Sequence, residues 1–408
     1  LGGNNMKRKF HTLTSCVLSL ALVAATLAVP GSNATDTADA ATAAEDATTV
    51  APKRVSVHDP SVMKAEDGTY YVFGSHLEAA KSTDMVNWQT FTNGYTTPNN
   101  ALLGDLDTNL AEPFKWAGSH DCDAVAYNIW APDVYYNKDY VNTDGTKGAY
   151  MMYFCTTSTY KRSVICYAVS QNPEGPYTYV DSIVYSGFTK GSKTDNARSK
   201  INTKYTNTNV GTLIDNGTLK DGVNSKWFTS SGEYNTAYAP NAIDPTIVES
   251  KDGKLWMTYG SWSGGIFILE IDPATGKAIY PGTNSEPEDK KDTRITDAYF
   301  GTRISGGNGK SGEGPFILYD EASDYYYLYV SYEGLNWNGG YNMRLFRSKN
   351  VDGPYVDAKG DNAAYNNAAS CISVNKDYYP RHDTLGIRVM GNYKLSCLNF
   401  EITAPGHN

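Results

Sequence analysis

The feature that most restricts the fold is a short grammar that returns four times along the chain. In its clearest copy, residues 241–262, Asp244-Pro245 opens a short apolar strand, Asp252-Gly253 supplies a hairpin turn, and an aromatic strand runs to Gly260-Ser261-Trp262. Period-two alternation of apolar residues marks these segments as strands, not helices. The same order appears in His58-Asp59-Pro60, Asp67-Gly68 and residues 70–75; in Trp130-Ala131-Pro132-Asp133, Asp144-Gly145 and residues 150–154; and in Glu313-Gly314-Pro315 followed by residues 325–330. A third strand closes on a related turn in residues 170–177 and 348–355, and more loosely in 82–88. Units of three or four antiparallel strands repeated in this way predict an all-β propeller over residues 54–408 and disfavour a sandwich. The longest insertion, from about 187 to 240, is rich in Asn, Thr, Ser and Gly and predicts a loop layer on one face.

Charge removes one class of partner. The 408 residues carry a formal charge of -9, and acidic and basic side chains are interspersed, so no basic stripe offers a phosphate backbone a landing site and nucleic acid is excluded. The N-terminal end bears on location. Residues 1–5 precede Met6 and read as translated upstream sequence. Residues 6–34 then have a signal peptide's order: Lys7-Arg8-Lys9, an apolar run from Cys16 to Val29, and a small-residue site ending at Ala34. That run is shorter than the roughly 20 residues a membrane helix needs. The expectation is a secreted protein, extracellular or periplasmic, with no membrane attachment after cleavage, acting as a monomer. Residues 35–53, rich in Ala, Thr and Asp and without aromatics, predict a disordered linker. Of six cysteines, Cys16 leaves with the signal peptide. Cys155 with Cys166, and Cys371 with Cys397, are candidate pairs, and buried free thiols are the alternative. No Cys-x-x-Cys spacing is present, which argues against a sulfur-held metal.

In a propeller the first strand of each blade lines the central channel, and residues at its start gather at one mouth. Asp59, Asp244 and Glu313 stand at what read as equivalent places in three units, so the repeat is expected to bring three carboxylates together. Singly, each has a plain structural reading as a turn residue. Together they repel one another, which raises at least one pKa and leaves a protonated acid beside an ionised base. Glycoside hydrolysis requires that pairing. Flat aromatic rings suit the apolar faces of sugars, and Trp130, at a channel mouth, is the first candidate, with Trp262 and Trp337 behind it; blade packing is the competing role for each. Asp133 reads as either a channel-facing polar residue or a strand-start cap.

The ordered series Val57-His58-Asp59-Pro60-Ser61-Val62, residues 128–134 (Asn-Ile-Trp-Ala-Pro-Asp-Val), 241–248 (Asn-Ala-Ile-Asp-Pro-Thr-Ile-Val), 259–266 (Tyr-Gly-Ser-Trp-Ser-Gly-Gly-Ile) and Gly312-Glu313-Gly314-Pro315-Phe316 resembles glycoside hydrolase family 43. Within it, the resemblance is to the members that cut internal α-1,5-L-arabinofuranosidic bonds of arabinan, a side chain of plant cell-wall pectin. It implies a five-bladed propeller and an inverting single displacement. Asp59 would be the general base, Glu313 the general acid, and Asp244 the residue that orients substrate and holds the acid's pKa high. It also implies one central calcium ion, bound mostly through water, with His407 of Pro405-Gly406-His407-Asn408 as its protein ligand. That last stretch would open a fifth inner strand, so a fifth blade cut short at Asn408 is expected. Two other readings stay open: an exo-acting arabinofuranosidase or β-xylosidase of the same family, and a non-catalytic carbohydrate-binding propeller.

Overall fold

The computed structural model describes residues 52–158, 161–307, 312–334, 341–365 and 386–391, and the backbone alone of 393–397 and 400–404. The signal peptide, the linker up to residue 51, Trp337, Cys371 and His407 lie outside the described residues. Among those described, four antiparallel sheets follow one another along the chain. The first holds β1 (Ser61–Lys64), β2 (Tyr70–Gly74), β3 (Glu78–Ser82) and β4 (Gln89–Thr90) in that spatial order. The second holds β5 (Ile129–Val141), β6 (Lys147–Thr157), β7 (Ser163–Ser170) and β8 (Thr178–Tyr185), after the short helices α1 (Leu106–Asn109) and α2 (Ala111–Ala117). Helix α3 (Asn209–Asp215) lies in the long insertion, which therefore has local structure of its own.

The third sheet runs β9 (Thr246–Glu249), β10 (Leu255–Tyr259), β11 (Ile266–Ile271); β12 (Ala278–Ile279) and β14 (Gly301–Ser305) both pair with the far edge of β11, at its two ends, and β13 (Thr296–Asp297) lies beyond β14. The fourth runs β15 (Glu313–Asp320), β16 (Tyr325–Tyr332), β17 (Asn342–Ser348) and β18 (Ile387–Gly391). A two-strand ribbon, β19 (Tyr393–Cys397) with β20 (Phe400–Ala404), comes last. The first strands of consecutive sheets are neighbours, β1 beside β5, β5 beside β9 and β9 beside β15, which is the arrangement of a β-propeller with four blades in the described residues.

Three hydrophobic cores lie between blades, and alternation along each strand divides its side chains between two of them. On β6, Met151, Tyr153 and Cys155 enter the core shared with the third blade, whereas Met152 and Phe154 enter the core shared with the first. On β11, Phe267, Leu269 and Ile271 face the second blade's side, and Ile266 and Ile268 the fourth's. A sheet covered on both faces needs apolar residues at consecutive positions, which is why these strands read as unbroken runs.

The same parity decides the cysteines. Cys155 stands opposite Ile165 and Phe154 opposite Cys166 in the β6–β7 ladder, so the two thiols point to opposite faces of the sheet and cannot pair. Cys122, Cys155 and Cys166 are all free. Among the described residues no helix is long and apolar enough to cross a membrane.

Candidate active site

Each blade enters its first strand through an unusual corner. The residues directly before the four prolines, Asp59, Ala131, Asp244 and Gly314, have φ of 50°, 42°, 56° and 57°. Only glycine takes that backbone region freely, so three of the four corners hold an L-residue in strain of about 1–3 kcal/mol, the kind of cost that persists at functional sites. Hydrogen bonds hold the corners: Ser75 N–H donates to the His58 carbonyl at 2.9 Å, and Gly260 N–H donates to the Ile243 carbonyl at 2.9 Å. A Cβ on Gly74 would collide with that His58 carbonyl, so the residue beside the first corner has to be glycine.

The corners correct one expectation. Asp59 and Asp244 are equivalent, but the fourth blade has Gly314 at that position and Glu313 one residue earlier, aligned with His58, Trp130 and Ile243. Ladder irregularities between Glu313 and Phe316, and between Trp130 and Asp133, mark the same bend in the fourth and second blades. A glutamate one position earlier reaches with one more methylene, and the three carboxylates still converge.

Their convergence is read in hydrogen bonds and charge. The Gly314 N–H donates to Asp244 Oδ2 at 3.0 Å, joining the third corner to the fourth. Glu313 accepts from Tyr341 OH on Oε1 at 2.9 Å, and from Trp262 Nε1 at 3.0 Å and Ser261 Oγ at 3.2 Å on Oε2. Asp59 Oδ2 accepts from Ser75 Oγ at 2.5 Å, and Ser75 Oγ in turn accepts from the Ala131 N–H at 2.8 Å. Burial first, then the negative charges of Glu313 and Asp59, push the Asp244 carboxyl well above the ordinary carboxylate range. Glu313 is raised as well, chiefly by burial, with a further push from Asp59 and with its three donors pulling the other way. Asp59 is the most open of the three, its side chain 36% exposed, with His58 Nε2 at 3.3 Å from Oδ2.

The aromatic candidates divide. Trp262 keeps 37% of its surface exposed while its indole holds Glu313, so it serves the acid directly and still offers a face. Trp130 lines a cleft of about 420 Å³ together with His76, Cys122, Asp123, Tyr127 and Ser158. His76 stacks on His58 at 6.1 Å between ring centroids and bonds Tyr95 OH through Nδ1 at 2.7 Å, which sets this cleft beside Asp59. Among the described residues no group of three His, Cys, Asp or Glu side chains gathers to hold a metal, and His407 lies outside them.

Residues 199–383 match the family model described as glycosyl hydrolases family 43. The chain belongs to glycosyl hydrolase family 43. Among family relatives, the extracellular endo-alpha-(1->5)-L-arabinanase of Thermotoga petrophila is 36% identical over 359 residues, which cover 86% of this chain and 61% of the relative. The extracellular endo-alpha-(1->5)-L-arabinanase 2 of Bacillus subtilis is 36% identical over 362 residues, 87% of this chain and 61% of that protein. The chain thus spans about three fifths of the length of these curated relatives. The crystal structure of endo-1,5-alpha-L-arabinanase from Thermotoga petrophila aligns at a TM-score of 0.59 with 34% identity, over 88% of this chain and 65% of that one.

For a family 43 protein, the part of the site hidden from sequence reading is its donors. Ser75, Ser261 and the Gly314 amide act from neighbouring turns or the next blade, and only their closeness to the motif glycines hinted at them. Tyr341 opens a strand far from any motif and carried no signal.

Proposed function

We propose that this chain is an inverting glycoside hydrolase that cuts internal α-1,5-L-arabinofuranosidic bonds of arabinan outside the cell. The observation that carries the reading is the shared electrostatics of the three carboxylates: Asp244 is raised by Glu313 and Asp59, and Glu313 by Asp59, so all three act on one space. Endo action, the substrate and the extracellular location draw support from the names of the two relatives above.

In this mechanism Glu313, kept protonated by burial, gives its proton to the O5 oxygen of the departing arabinose as the C1–O5 bond breaks. Asp59, open to solvent and fixed by the Ser75 hydroxyl, takes a proton from the water whose oxygen bonds to C1 from the opposite face. The product then has inverted anomeric configuration, Asp59 holds a proton and Glu313 has lost one, and solvent exchange resets both. The Asp244 carboxyl, fixed by the Gly314 amide, faces the bound sugar and orients it, while burial and Asp59 raise the acid's pKa. Trp130 and Trp262 form the sugar-stacking surfaces, supported by the cleft beside Asp59 and the exposed face of Trp262.

Five blades are part of the proposal. On the outer faces of the first and fourth blades, Val62, Phe316 and Leu318 stay 53%, 48% and 48% exposed, apolar surface that a further blade would cover. The calcium ion is proposed on His407 alone; no described side chains supply a direct cage for it, and no step is routed through it.

The test is a time course on debranched linear arabinan, beside xylan and a small chromogenic arabinoside. Early release of mixed oligosaccharides from arabinan is the expected result. Arabinose alone would mean terminal cutting, and binding without hydrolysis would mean a carbohydrate-binding propeller.

A further inference from the structure

The residues that follow the four corner prolines are Ser61, Asp133, Thr246 and Phe316. Three of them are polar and bond to the next blade around the axis. Ser61 Oγ lies 2.5 Å from Asp133 Oδ1, the Ile247 N–H donates to Asp133 Oδ2 at 2.6 Å, and Thr246 Oγ1 donates to the Pro315 carbonyl at 2.7 Å. Asp133 differs from the others in reaching two blades at once. A hydroxyl offers one oxygen, whereas a carboxyl offers two, one for a side chain of the first blade and one for an amide of the third.

Burying a carboxyl is costly when a serine or threonine serves at the matching positions, so the choice calls for a reason. Asp133 is only 9% exposed, and burial raises its carboxyl above the usual range while its two partners lower it. The strands it joins are those that carry the site. Ser61 is two residues after Asp59, Ile247 three after Asp244, and Asp133 itself two after Ala131, whose N–H holds the Ser75 hydroxyl against Asp59.

We propose that Asp133 is a positioning residue that sets the spacing between Asp59 and Asp244 by tying the strands they open to a single side chain. This rests on the hydrolase reading above. Asp133 touches no substrate in this scheme; it acts through the two strands it joins. Because a misplacement of about 1 Å can cost on the order of 100-fold in rate, losing the tie is expected to lower kcat far more than it alters KM. Asparagine keeps both contacts whichever partner donates: its carbonyl accepts from the Ile247 N–H, and its amide donates to the Ser61 hydroxyl.

The experiment compares wild type, Asp133→Asn, Asp133→Ala, Ser61→Ala and Glu313→Gln on linear arabinan, with thermal midpoints for each. The expected result is a kcat about 100-fold lower in Asp133→Ala with KM within about threefold, recovery to within about tenfold of wild type in Asp133→Asn, and an intermediate loss of kcat in Ser61→Ala. Should Asp133→Ala fail to fold, Ser61→Ala decides: a kcat loss at unchanged KM and thermal midpoint supports the role, and wild-type kcat overturns it. A normal kcat in Asp133→Ala, a change confined to KM, or no recovery with asparagine also overturns it. An active wild type with an inert Glu313→Gln and a normal Asp133→Ala would sink this inference alone, whereas an inert wild type would remove the hydrolase reading and this inference with it.

Discussion

Tyr341→Phe should move the alkaline limb of the pH–rate profile upward. The buried Tyr341 hydroxyl donates to Glu313 Oε1 at 2.9 Å, and it is the strongest of the hydrogen bonds that favour the ionised form of this acid. A hydrogen bond to a charged group is worth about 1.5–3 kcal/mol, and the same hydroxyl against the neutral acid about 0.5–1.5 kcal/mol. Removing it therefore costs the carboxylate about 1–1.5 kcal/mol more than the acid. At 1.36 kcal/mol per pH unit, the Glu313 pKa rises by about one unit. The sign is fixed by the role: the protonated acid is the active form, so the midpoint at which kcat/KM falls with rising pH should increase by about that amount. The ring is retained, so the acid limb and the thermal midpoint should change little. The assay is kcat/KM on linear arabinan from pH 4 to 10, in steps of about half a unit. An alkaline midpoint that stays or falls would refute the placement of Glu313 as the acid under Tyr341 control.

Three further outcomes follow from the same geometry. Glu313→Gln should fold normally and lose about 100-fold or more in kcat on arabinan, with partial recovery on substrates whose leaving group needs no proton; near-normal cutting of arabinan would remove Glu313 from the mechanism. Asp297→Ala should lower stability by about 3–5 kcal/mol, read as a fall in urea midpoint at constant m-value, because a fully buried carboxylate there accepts from Asn224, Trp227, Tyr238 and the Tyr299 and Phe300 amides; Asn224 keeps Asn284 as an acceptor, and the other four donors lose theirs. A chelator should lower activity or thermal midpoint if His407 holds calcium, and indifference in both would count against the ion.

The repeat was legible because each blade solves the same problem with the same residues. The turns at 170–177 and 348–355 share one detail, a tyrosine hydroxyl donating four residues back, from Tyr177 to the Pro173 carbonyl at 2.8 Å and from Tyr355 to the Val351 carbonyl at 2.9 Å. Local chemistry of that kind is written in consecutive letters. The offset of Glu313 was harder to read, since glycine replaces aspartate at the corner and shifts the acid by one place without disturbing the prolines. Asp133 stayed ambiguous for a different reason: its partners, Ser61 and Ile247, are 72 and 114 positions away, and only closure around the axis brings them to it. The polar composition of 187–240 predicts a loop. Phe188, Val210, Leu219, Trp227, Phe228, Tyr234 and Ala239 are nevertheless buried in the core between the second and third blades, so a set of apolar residues anchors what composition described as surface.

The parity that keeps Cys155 and Cys166 apart also gives each of the two seams beside the second blade its own silent reporter. Burial holds both thiols far above their ordinary pKa, so neither reacts while the protein is closed. When the second and third blades part, Cys155 meets solvent, and when the first and second part, Cys166 does. Variants carrying one thiol or the other, exposed to an alkylating reagent, would show which joint in the ring gives way first as the protein breathes.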